Sequence, residues 1–148
     1  EPEIDSNSID RLIELIRHQT AADVATLATP IREASRVDNP NCVKVVCDHA
    51  GFAMYFSRSR IPYPRDGGDR HATDASVYLQ HLGIYAYRRN FLSRLHLMQR
   101  SPLEEIEKLE QLRFLQNGYR CAVTVVEHAA AGIDIRSDYD AFLARIRS

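Results

Sequence analysis

The chain has 148 residues, of which 45% are hydrophobic and 26% charged, with a formal net charge of -1. That bounds it to one domain or part of one, with enough apolar content to bury a core, and the balanced charge argues against a broad nucleic-acid footprint. The apolar runs are far too short to span a membrane, no basic and then apolar leader is visible, and an odd count of 3 cysteines cannot all pair within one chain. A reducing cytoplasm is the simplest compartment.

Asp5 and Ser6 are N-cap residues ahead of Ile9, Leu12, Ile13 and Ile16, a spacing that predicts an amphipathic helix over roughly 6–18. Residues 22–31, "AADVATLATPI" from Ala21, read as a buried strand ending near Pro30. "CVKVVC" (42–47) and "FAMYF" (52–56) are short β-prone runs joined by turn residues, which predicts a hairpin. "IPYPRDGGDRHATDAS" (61–76) is a loop by its turn formers. A strand follows over 79–88, and Asn90 can cap a short helix through Phe91, Leu92 and Leu95.

The clearest local signal is "SPLEEIEKLEQLRFLQNG". Ser101 is the N-cap, Pro102 opens the helix, Glu104 completes a capping box and Gly118 is the stop, which predicts one helix over 102–117 with Leu103, Ile106 and Leu109 as its apolar stripe. "YRCAVTVVEH" is a further strand, and Ser137 caps a last helix ending near Ile146. Alternating strands and helices with a hairpin between them predict an α/β fold with a mixed sheet.

Within the strand "LQHLGIYAYRR", alternation puts Leu82, Ile84 and Ala86 on one face. His81, Gly83, Tyr85 and Tyr87 take the other, where polar tips surround a residue with no side chain. Such a face suits a ligand, since glycine in a strand marks close approach, but a half-exposed strand explains it as well. Glu110 and Gln111 lie beside the apolar stripe of their helix, a pattern that a solvated face also gives. Arg58 and Arg60 follow a strand end where an anion could bind, or are surface arginines. Cys42, Cys47 and His49 lack the spacing of a structural zinc site, and the two cysteines read as buried small hydrophobes. Asp134 is a loop aspartate just after a strand, where ligands and Mg²⁺ commonly sit in α/β sheets.

Four segments, "KVVCDHAGFAMYFSRSRIPYPRD", "HLGIYAYRRNFL", "SPLEEIEKLEQLRFLQNGY" and "GIDIRSD", occur in this order. Together they resemble the C-terminal part of the 3-deoxy-manno-octulosonate (Kdo) cytidylyltransferases, the CMP-Kdo synthetases of Gram-negative bacteria. The resemblance covers essentially the whole chain, and Glu1-Pro2 match the last two letters of the family's "GDEP" segment.

The resemblance implies the nucleotide-diphospho-sugar transferase fold with its N-terminal nucleotide-binding part missing. Residues 1–148 would then be the sugar-binding and dimerising part of a single domain. It implies the reaction of CTP with Kdo to give CMP-Kdo and pyrophosphate for lipopolysaccharide synthesis. In that reaction the anomeric hydroxyl attacks the α-phosphorus while Mg²⁺ offsets charge. Arg58, His81, Tyr85, Glu110 and Gln111 would bind the sugar acid, and Asp134 would bind Mg²⁺. A cytoplasmic homodimer is implied, with neither nucleic acid nor membrane as partner. The family's "RxxSTRLPGKPL" signature is not found in these residues, and "GIDIRSDY" stands where the family usually reads "GVDTPEDL". Two alternatives stay open: a cytidylyltransferase for another acidic sugar, and an inactive truncated relative that dimerises or binds sugar. The chain alone is expected to give no measurable transfer.

Overall fold

The computed structural model describes residues 4–65, 77–127 and 136–146, without the side chains at 137, 138, 141 and 145. Helix α1 (Ser6–His18) starts where Asp5 accepts hydrogen bonds from the Ser8 amide (2.9 Å) and the Ser8 hydroxyl (2.7 Å). Its C-terminal end is closed by Arg88, whose guanidinium donates to the carbonyls of Ile16, Gln19 and Ala22 at 2.6–3.1 Å. A cation at that end satisfies carbonyls with no helical partner and complements the helix dipole.

Strand β1 (Val24–Pro30) is followed by the short helix α2 (Ala34–Val37), which the sequence had not signalled. Strands β2 (Lys44–Cys47) and β3 (Ala53–Ser57) form the expected antiparallel hairpin. Strand β4 (Leu79–Tyr87) leads into helix α3 (Arg89–Leu95), which starts one residue before Asn90, the expected cap. Strand β5 (Cys121–Val125) and helix α6 (Arg136–Ile146) complete the described elements. The sheet order is β3-β2-β4-β1-β5; β1 pairs in parallel with β5 and antiparallel to β4, so the sheet is mixed as expected. It curls at its ends: the Val123 amide donates to the Gly51 carbonyl (2.8 Å), and Phe52 bridges Ala122 on β5.

One face of the sheet packs against α1 through Leu12, Ala25, Leu27, Leu82 and Ala122. The other carries Val24, Ala28, Val45, Phe56 and Cys121, and it is this face that meets the helices between β4 and β5.

Those helices depart from the single helix expected over 102–117. The capping box at Ser101 and Glu104 forms, and Gly118 ends the segment at φ 81. Between them Lys108 takes a left-handed conformation (φ 55, ψ 44) and splits the run into α4 (Pro102–Glu107) and α5 (Gln111–Gln116). The reason lies in the apolar spacing. In one straight helix Leu103 and Leu112, nine residues apart, would point about 180° from each other at ~100° per residue. The break lets Leu109 and Leu112, at 6% and 0% exposure, enter the same core that Leu103 packs against. Ile106, expected in the apolar stripe, is left 77% exposed.

Candidate functional site

Period two holds along β4 even though the strand is irregular. Thr26 pairs with Tyr85 while Leu27 pairs with Leu82, so Gly83 and Ile84 are two extra residues on β4. Two extra residues preserve the alternation, and His81, Tyr85 and Tyr87 stay on the face toward α4 and α5. Thr26 fills the bulge: its hydroxyl lies 2.7 Å from the Ile84 carbonyl, 3.1 Å from the Leu82 carbonyl and 3.1 Å from His81 Nε2. A hydroxyl has one proton to give, and the Ile84 carbonyl is its shortest acceptor. His81 Nε2–H therefore donates to Thr26 Oγ1, which assigns the tautomer. Burial holds this imidazole neutral by lowering its pKa to about 4.

The rings then continue as a ladder. His81 lies between the Phe56 ring at 4.9 Å and the Tyr85 ring at 5.4 Å, Tyr85 stacks with Tyr87 at 5.7 Å, and Tyr87 stacks with Phe91 at 5.8 Å. Phe114 from α5 sets its edge against Tyr85 and Phe91. Desolvation raises the Tyr85 phenol well above its usual range, so it is a neutral hydroxyl.

Facing this ladder, α5 and the residue before it supply Glu110, Gln111, Arg113 and Phe114; with Tyr85, Tyr87 and Leu95 they line one pocket. An aromatic wall opposite a carboxylate, an amide and a guanidinium suits a polyhydroxylated molecule: the rings cover C–H faces, and the polar tips select hydroxyls. Glu104 grips Arg113 through Nε (2.8 Å) and a second guanidinium nitrogen. That hydrogen-bonded contact holds the Glu104 carboxyl below the usual carboxylate range.

The structure thus brings Tyr85, Glu110 and Gln111 to one pocket. His81 is 8% exposed and stands behind Tyr85, buttressing its ring without lining the pocket. Arg58 does not reach it: its guanidinium donates to the carbonyls of Glu107 (2.7 Å), Pro40 (2.9 Å) and Lys108 (3.5 Å). Gly83 is exposed, and a Cβ there would meet nothing within 4 Å, so the glycine marks no close approach among the described residues. Asp134 lies outside the described residues.

Of the other lining residues, Tyr87 was available to alternation and Phe114 to its place beside the stripe.

 Leu95 of α3 also lines the pocket, and no local pattern signals its approach. Thr26 likewise had no signal, because its part depends on the register between β1 and β4.

Among the described residues no group of three or more His, Cys, Asp and Glu side chains could hold a metal ion. The three cysteines are free; Cys42 and Cys121 are buried and Cys47 half-buried, and burial pushes the Cys47 and Cys121 thiols up to about 11 and about 12. Cys42 and Cys47 are packing residues, as the sequence suggested, and Cys121 packs in the core as well. No helix of the described residues is long and apolar enough to cross a membrane.

A profile of the family described as "Cytidylyltransferase" matches residues 1–127. The chain belongs to the cytidylyltransferase family. Its similarity to curated members runs along its whole length. It is 46% identical to a 3-deoxy-manno-octulosonate cytidylyltransferase of Rhodopirellula baltica, over 100% of this chain and 60% of the relative. With the Fusobacterium nucleatum protein of the same name it shares 41% identity over 99% of this chain and 58% of the relative. A CMP:2-keto-3-deoxy-manno-octonic acid synthetase solved in complex with CTP superimposes with a TM-score of 0.87 at 37% identity, over 99% of this chain and 58% of that one. The fold is that of this cytidylyltransferase. The chain spans about three fifths of the length of the relatives it matches.

Proposed function

We propose that this cytidylyltransferase chain forms the sugar-acid side of a CTP:Kdo cytidylyltransferase. The reaction joins the anomeric oxygen of Kdo to the α-phosphorus of CTP and releases pyrophosphate. The observation that carries the reading is the convergence of Tyr85, Glu110 and Gln111 on one pocket, in a chain whose similar relatives bear that activity in their names. In this reading the tyrosine wall packs on the sugar, Glu110 and Gln111 bind its hydroxyls, and neutral His81 keeps the Tyr85 ring in place. Arg58 acts from a distance, through the turn before Glu110.

Positioning and discrimination are what such a pocket contributes to nucleotidyl transfer. Mg²⁺ belongs to the proposal through Asp134 alone. The described residues gather no donor set for it, so no step is routed through the metal. A cytoplasmic homodimer of the sugar-binding part, residues 1–148, completes the proposal.

The test is a titration of the chain with Kdo, with N-acetylneuraminate as the competing acidic sugar. Glu110→Gln and Tyr85→Ala are each expected to weaken Kdo binding by about tenfold, the loss of one good polar or ring contact. Equal affinity for the two sugars, or variants that bind as well as the parent, would remove the reading.

A further inference from the structure

Glu107 does not line the pocket, yet it makes the contacts that fix the turn leading into it. One carboxylate oxygen accepts from the Ser57 hydroxyl at 2.6 Å, and the other from the Arg58 amide at 2.9 Å. Arg58 answers in the opposite direction: its Nε donates to the Glu107 carbonyl at 2.7 Å, and its guanidinium reaches the Lys108 carbonyl at 3.5 Å. Those carbonyls end α4 and have no helical partner, so the guanidinium supplies what the helix end lacks.

The end of β3 is itself anchored. Lys44, at 0% exposure, places its ammonium among the carbonyls of Asn39 (3.0 Å), Cys42 (2.6 Å) and Arg58. Three donors meet three acceptors, which is how a buried lysine stays satisfied. Ser57 is likewise buried, at 2% exposure. The chain from Lys44 through Arg58 to Glu107 therefore ties β2, β3 and the end of α4 together. After Glu107 come left-handed Lys108, buried Leu109, and then Glu110 and Gln111.

We propose that Glu107 is a positioning residue for this pocket: its carboxylate locks the α4–α5 turn to the end of β3 and so sets where Glu110 and Gln111 stand. The ligand class rests on the sugar-acid reading above; the lock itself does not. Leu109 fixes the depth of the turn, but a single apolar contact is not directional. Two charge-assisted hydrogen bonds from one carboxylate to a buried strand end are directional, and they define the turn's orientation.

Three variants test this: Glu107→Ala, Glu107→Gln and Ser57→Ala. Hydrogen exchange is followed at residues 108–112 and in β1, alongside thermal stability and Kdo titration. Glu107→Ala is expected to speed exchange at 108–112 by about tenfold while β1 keeps its protection, and to weaken Kdo binding by about as much. Glu107→Gln retains an acceptor for Ser57 or Arg58 and recovers most of both. Ser57→Ala, which removes one of the two bonds, gives a smaller loss of the same kind and covers the case where Glu107→Ala does not fold. Unchanged exchange at 108–112, or a loss spread equally over β1, overturns the proposal. If the parent chain does not bind Kdo, the sugar reading falls, and the exchange measurement still decides the lock.

Discussion

His81 is a histidine that the fold keeps from titrating near neutrality. Its unfolded value lies near 6.5, and desolvation brings the folded value to about 4. Between those values the unfolded chain binds a proton that the folded chain does not. Stability is therefore whole above pH 6.5 and falls as the pH drops toward 4, by up to roughly 3 kcal/mol. Denaturant unfolding at pH 7 and pH 4.5 should show that loss. His81→Asn keeps a donor for Thr26 and removes the titration, so it should flatten the slope in this window. An unchanged slope would place the pH dependence elsewhere. The Glu104 carboxyl, lowered mainly by its hydrogen bond from Arg113, gives up its contribution at lower pH, as the pH falls through its depressed value. Thr26 is the partner that makes the neutral histidine tolerable. Thr26→Val keeps the shape but strips the acceptor from a buried N–H, and should cost about 1–3 kcal/mol by the same unfolding measurement. Thr26→Ser should cost much less.

The elements around the pocket owe their placement to one left-handed residue. A β-branched side chain is a steric outlier at the φ of 55 that Lys108 adopts. Lys108→Val should lower stability by about 1–2 kcal/mol, whereas Lys108→Gly, free of that clash, should be near neutral or stabilising. Thermal unfolding of both variants checks the pair, and a harmless valine would mean that the turn is not under this constraint. This break also marks the limit of what the sequence made legible. The caps at Ser101 and Gly118 are local chemistry, and both were readable. So was the face shared by His81, Tyr85 and Tyr87, because alternation needs only the strand itself. The interruption at Lys108 was not, since it comes from where the core requires Leu103 and Leu112 to go. Arg58 shows the same limit. Its residue type suits an anion, but which carbonyls lie within its reach is a tertiary fact. His81 was placed on the correct face, while its depth behind Tyr85 followed from Thr26 across the sheet.

At the scale of the molecule, the sheet leaves one of its strands partly open. β4 pairs with β1 along one edge from Leu79 to Tyr87, apart from Gly83 and Ile84 in the bulge. On its other edge β2 pairs only with Leu79 and Gln80, and the His81 amide donates to the Val43 carbonyl. From Leu82 onward no described strand pairs with that edge. Unpaired strand edges are templates for association, and a charge placed on one is the usual protection against it. Gly83 sits on this stretch, is exposed, and has open space where a Cβ would go. The proposed homodimer therefore makes a concrete prediction: light scattering at micromolar concentration should give a mass of two chains or more. Gly83→Lys should shift that mass toward one chain without lowering the unfolding temperature, because a side chain in a strand costs less backbone entropy than glycine. A parent chain that stays monomeric would remove the dimer. A Gly83→Lys variant that associates as strongly as the parent would move the contact away from β4, to a surface where the exposed Met54 of β3 or Leu92 and Leu97 around α3 could meet a second copy.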